Sequence, residues 1–166
     1  MNEELYIRRD RMRFTKNSLC STLAILAIVF DVFYFVNIYE SDVGRNVGTF
    51  YYQIRIGASI IYNLVFLLAA FLSSEGVKNY KIGYCYVLLF IGALQIVRVF
   101  ILPAQAAAAE VTVGDVTTKV MENAQYVRVV AYLLLSAACC IVSGIIGIKR
   151  CRELSAHVAS LEANKA

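Results

Sequence analysis

The chain has 166 residues, 60% of them hydrophobic and 17% charged, with a formal net charge of +4 and a single histidine. Soluble domains carry roughly 45–50% apolar and about 25% charged residues, so this composition excludes a disordered tail, a disulfide-rich secreted module and a soluble enzyme. The apolar excess falls in four blocks, each long enough to cross a bilayer core of roughly 30 Å, which takes about 20 residues of helix; the reading is an all-α polytopic membrane protein, a four-transmembrane-helix bundle.

Residues 1–16 form a basic segment holding Arg8, Arg9, Arg11, Arg13 and Lys16, and the first span covers residues 17–39. This block is longer than the 7–15 residues of a signal h-region, and it ends in Val36-Asn37-Ile38-Tyr39-Glu40 rather than at a small-residue cleavage site, so it reads as an uncleaved anchor. Asp31 lies inside it, with Tyr34 three residues on. A charged side chain at bilayer depth is costly and by default faces a protein interior. The connector that follows carries Gly44, Arg45, Asn46 and Gly48 and is turn-rich. The second span, residues 54–73, returns with Asn63 near its middle. The third, residues 82–102, carries Gln95 and Arg98 on one helical face. Pro103, the only proline, is expected to stop that helix.

The loop of residues 103–126 is the only sizeable feature between spans. Ala104-Gln105-Ala106-Ala107-Ala108-Ala109 favours a short helix. Val111-Thr112-Val113-Gly114-Asp115 reads as an extended piece closing in a turn. With Asp115 as N-cap, residues 116–126 are expected to start the fourth helix about two to three turns outside the membrane. The fourth span, residues 127–148, carries Ser136, Cys140, Ser143 and Gly147 at spacings of four, three and four. Small residues in that pattern let another helix approach closely, either within the bundle or from a second copy or a different protein, so a homo- or hetero-oligomer through helix four is expected. Residues 151–166 form a short helical tail with Leu154, Val158 and Leu161 on one stripe. Cys151, beside Lys149, Arg150 and Arg152, is a candidate for palmitoylation.

Orientation follows from the distribution of Lys and Arg. One side holds Arg8, Arg9, Arg11, Arg13, Lys16, Lys78, Lys81, Lys149, Arg150, Arg152 and Lys165; the other holds only Arg45, Arg55, Lys119 and Arg128. Both termini are therefore expected to be cytoplasmic, in a plasma or bacterial inner membrane. The positive balance speaks for anionic lipid at the cytoplasmic face, not for nucleic acid.

Asp31 and Arg98 come out within a turn of the same depth when each residue rises about 1.5 Å. They are predicted to pair across helices one and three, the guanidinium fork meeting both carboxylate oxygens, with Asn63 and Gln95 satisfying the remaining atoms. Such a cluster either fixes helix register and partner choice or binds a solute or ion. No span contains a histidine for haem, and C-x-x-C, G-x-S-x-G, H-E-x-x-H and P-loop motifs are absent, so neither catalysis nor a cofactor or metal is expected. The function expected is a non-catalytic subunit or scaffold of a larger membrane assembly. The alternative is a small oligomeric transporter or channel using Asp31, Asn63, Gln95 and Arg98.

Overall fold

A computed structural model describes residues 17–39, 50–108, 110–113 and 116–163. The basic N-terminal segment, the connector residues 40–49, Gly114-Asp115 and Lys165 lie outside the described residues, as do the side chains of residues 50–53, 111–118 and 161. The elements in chain order are α1 (Ser18–Tyr39), α2 (Phe50–Lys78), α3 (Ile82–Val99), the short α4 (Leu102–Ala108), β1 (Glu110–Val113), β2 (Val116–Lys119) and α5 (Asn123–Ala163). Among the described residues, four helices are long and apolar enough to cross a membrane.

Each of these helices turns inward a row of residues spaced alternately by three and four. On α1 the row is Cys20, Ala24, Ala27, Asp31, Tyr34 and Ile38; on α5 it is Val129, Leu133, Ser136, Cys140, Ser143 and Gly147. That alternation is the period of helices packed at shallow angles in a bundle. The chemistry of the faces is unlike that of a water-soluble bundle. Many inward residues are small or polar, whereas Leu19, Ile25, Leu26, Val29 and Phe33 of α1 point outward and are exposed. Lipid offers no hydrophobic drive between helices, so close approach over small residues and interhelical hydrogen bonds must hold them together. Each long helix neighbours two others in the order α1–α2–α3–α5, with α1 and α3 across the diagonal. α5 packs along both α1 and α3, and α2 is the least enclosed.

α2 runs to Lys78, five residues past its expected end and through Gly76, and Ser74 Oγ in this extension shares a 2.9 Å hydrogen bond with Ser21 Oγ of α1. The turn into α3 is correspondingly tight. The Lys81 N–H donates to the Gly76 carbonyl at 3.1 Å and the Tyr80 N–H to the Val77 carbonyl at 3.1 Å. This is a Schellman closure, with Tyr80 (φ 57°) in the left-handed position that glycine usually fills.

At the opposite end the structure corrects two expectations. Pro103 does not stop α3, which closes at Val99; the proline sits in the first turn of α4, where its missing N–H costs no helical bond. Residues 116–119 are a strand, not the start of α5. They pair antiparallel with β1, Val113 opposite Val116 and Glu110 opposite Lys119, because the β-branched runs of Val and Thr favour a pleated ribbon over a helix. The expected N-cap, Asp115, lies outside the described residues, and α5 begins only at Asn123. The fold is thus an all-helical bundle of four long helices, as expected, with one short two-stranded hairpin inserted ahead of α5. Val120 and Met121, following the hairpin, are buried with Tyr34, Ile38, Leu102, Ala106, Val129 and Leu133 in one apolar cluster. A second cluster, toward the α2–α3 turn, gathers Cys20, Ala24, Phe66, Ala70, Val77, Cys85, Leu88 and Cys140.

Candidate functional site: a buried polar layer

Between these two apolar clusters lies a layer of polar side chains. On α1, Asp31 falls between Ala27 of one cluster and Tyr34 of the other; on α3, Gln95 falls between Ile91 and Val99; on α5, Ser136 falls between Cys140 and Leu133. Asp31 is 1% exposed, Gln95 0% and Arg98 5%. Gln95 Nε2 donates to Asp31 Oδ1 at 2.9 Å, and Arg98 Nη1 donates to the same oxygen at 3.2 Å and to Gln95 Oε1 at 3.4 Å. Arg98 Nη2 donates to Ser59 Oγ of α2 at 3.3 Å. The guanidinium also lies over the rings of Tyr34 (4.3 Å to the centroid) and Tyr62 (4.7 Å). A buried cation is tolerable where an opposite charge, hydrogen bonds and aromatic faces together replace its lost hydration, and residues of α1, α2 and α3 supply all of these.

Asp31, Gln95 and Arg98 therefore meet, but not in the geometry expected. The guanidinium fork does not straddle the carboxylate. It divides between Asp31 and Ser59, and Asp31 Oδ2 has no hydrogen-bond partner among the described residues. Asn63 does not complete the network either: it is buried near Asp31, yet neither its Oδ1 nor its Nδ2 is hydrogen-bonded. Tyr34 contributes the face of its ring. Ser59 and Tyr62 do not stand out in the sequence, although with Asn63 they lie at i, i+3 and i+4 on one face of α2.

No family model, curated protein or solved structure matches this chain.

The small-residue face of α5 is occupied inside the bundle. Ser136 Oγ donates to the Ala27 carbonyl at 2.9 Å and Ser143 Oγ to the Cys20 carbonyl at 2.7 Å, both on α1. A Cβ on Gly147 would lie 2.7 Å from Cys85 Sγ of α3. Ser136, Cys140, Ser143 and Gly147 are all buried, which matches the reading of this face as packing within the bundle. The candidate lipidation site lies at the same depth in the core as this face. Cys151 is 5% exposed and its Sγ donates to the Tyr80 carbonyl at 3.3 Å, so acylation would require pulling a core residue out. Beside it, Arg150 Nη1 donates to Asn17 Oδ1 at 3.0 Å, while the Asn17 N–H donates to the Lys78 carbonyl at 3.1 Å. These bonds latch α1, α2 and α5 together at the turn end.

Two cavities flank α2. One, of about 110 Å³, lies against α1 and is lined by Asp31, Val32, Phe35, Ile60, Asn63, Leu64 and Leu67. The other, of about 270 Å³, lies against α3, with Ser59, Tyr62, Arg98 and Arg55 in its wall. Arg55 reaches Gln105 of α4 with a hydrogen bond. Among the described residues no cluster of three or more His, Cys, Asp or Glu is placed to hold a metal ion.

Proposed function

We propose that this chain is a non-catalytic, multi-pass membrane protein that acts as a subunit or scaffold of a larger membrane assembly, with both termini cytoplasmic. The observation that supports this reading is the closure of the polar layer. A solute passing through one copy would have to part Arg98 from Asp31, Gln95 and Ser59, and would then meet the apolar cluster of Ala27, Phe66 and Leu88. A polar layer set between two apolar ones acts instead as a register device, since sliding one helix would leave a buried charge unmatched. The continuation of α5 past Cys151 adds support. From residue 152 to Ala163 it extends for about 18 Å at about 1.5 Å per residue, exposed over most of its length, and the bundle does not need it. The uneven distribution of Lys and Arg argues for cytoplasmic termini, with anionic lipid against the basic face.

The deciding measurement is the native mass and composition of the complex extracted from its own membrane under mild conditions. A second polypeptide in fixed ratio is the expected result. A pure homo-oligomer, together with solute flux in liposomes that Asp31→Asn abolishes, would replace this reading with that of a small transporter.

A further inference from the structure

α2 and α3 are tightest at their shared turn, where Gly76 meets the ring of Tyr84 so closely that a Cβ would have no room. Toward the other end a cavity of about 270 Å³ separates them. Its wall is apolar for most of its length, formed by Ala58, Leu94, Val97, Ile101 and Leu102, with Arg98 and Ser59 joined by their hydrogen bond. Ala58, Val97 and Ile101 are also exposed on the outside of the bundle, so the cleft opens sideways to lipid. At the end farthest from the turn stands Arg55, half-buried and held toward α4 by its hydrogen bond to Gln105.

Shape and charge narrow the occupant. From Arg55 to Tyr62 the wall follows seven residues of α2, about 10 Å at about 1.5 Å per residue. At roughly 30 Å³ per water-sized group, the volume of about 270 Å³ takes about nine groups the size of a methylene. A narrow apolar slot that opens to lipid suits an extended alkyl chain. Both charged side chains in its wall are arginines. Asp31 meets Arg98 through Nη1, whereas Nη2 turns to Ser59 in the wall of the cleft. Arg55 is the second residue of the span that begins at Ile54, where a long cationic side chain reaches the level of the lipid head groups. A guanidinium matches phosphate oxygens there. A zwitterionic head would bring a cation of its own beside the two arginines, and an anionic head would not.

We propose that this cleft holds one acyl chain of an anionic phospholipid, whose phosphate lies against the guanidinium of Arg55.

The test uses the full-length protein in phosphatidylcholine nanodiscs doped with a photoreactive lipid, either phosphatidylglycerol or phosphatidylcholine carrying a diazirine midway along one acyl chain. Adducts at Ala58, Leu94, Val97 and Ile101 should be about five-fold richer from phosphatidylglycerol, the preference that one basic side chain gives at a membrane surface. Val29 and Phe33, exposed on the outward face of α1, should take both lipids equally. Arg55→Gln should remove the preference while both lipids still label the cleft. Ala58→Trp fills the cleft from an exposed position and leaves both arginines in place. It should lower the cleft adducts from either lipid, with Val29 and Phe33 unchanged, and it serves if Arg55→Gln fails to fold. Equal labelling of the cleft by both lipids, a preference that survives Arg55→Gln, or cleft adducts undiminished in Ala58→Trp would overturn the proposal.

Discussion

At the scale of single residues the stakes concentrate on Arg98. Its cation is 5% exposed and depends on partners from three helices. Replacing it with glutamine leaves the Asp31 carboxylate buried with Gln95 alone, and breaking a buried pair from one side costs about 3–5 kcal/mol. Asp31→Asn strands the guanidinium in the same way, softened by Ser59 and the two tyrosine rings, so its loss should be the smaller. The double variant Asp31→Asn/Arg98→Gln carries no unmatched charge and should recover most of the stability. Thermal unfolding of the four proteins in one detergent closes the cycle; losses that simply add would show that the two side chains do not act as a pair. The sequence made Asp31, Gln95 and Arg98 legible because polar groups stand out in a lipid-spanning run. It hid Ser59 and Tyr62, because hydroxyl-bearing residues are ordinary in such helices. Nor does the apolar run around them reveal which way α2 is rotated. The same blindness explains Asn63: its burial is readable from its depth, but its lack of a partner depends on side-chain distances that spacing does not encode.

Among the elements, close approach rather than apolar area sets the tolerances. Gly144 of α5 sits where a Cβ would lie 2.8 Å from Leu89 Cγ and 2.9 Å from the Cys85 carbonyl oxygen of α3. The side chain could shift, but the backbone oxygen cannot do so without separating the helices. Gly144→Ala should therefore destabilise by about 1–3 kcal/mol through overpacking, outweighing the roughly 1 kcal/mol that alanine gains over glycine in a helix. At Gly57 of α2 an added Cβ would meet nothing within 4 Å, so Gly57→Ala should be neutral or gain up to about 1 kcal/mol. Melting temperatures of the two variants, opposite in sign, check the contrast. A second element-level expectation concerns the turn end, where Cys151 is buried beneath Tyr80. A maleimide should leave Cys151 unmodified in the folded protein and label it fully after denaturation, and a mass spectrum should show no acyl adduct there. The four long helices were legible from apolar length alone. The hairpin was not, since residues 116–119 match a helix as well as a strand until Val111, Thr112 and Val113 are seen to pair with them. The small-residue row is conspicuous on α5 and inconspicuous on α1. There, Cys20, Ala24 and Ala27 stand at equivalent spacing among Leu and Ile residues that look more important and face outward.

For the whole molecule, the arrangement separates a part that must be intact from a part that need not be. The core ends, toward the C-terminus, at Cys151, which belongs to the turn-end cluster. Beyond it, α5 continues to Ala163 with Val158 44% exposed and no core cluster to join. A chain ending at Ser155 keeps a full turn past Cys151, so fraying of the new terminus does not reach the latch of Arg150 on Asn17. This truncation should leave the melting temperature of the isolated protein unchanged. If the projecting helix is the handle by which the chain joins an assembly, the complex recovered under mild extraction should at the same time lose its second polypeptide. The two readouts have to separate: a falling melting temperature would mean that the projection supports the bundle, and an undiminished complex would move the contact to the outward faces of α2. Its sidedness can be checked with the full-length chain in sealed membrane vesicles. Val158→Cys should react with a membrane-impermeant maleimide applied to the cytoplasmic side and not to the other, against a background in which Cys151 is shielded. Reaction from the opposite side would reverse the orientation and with it the placement of the basic face.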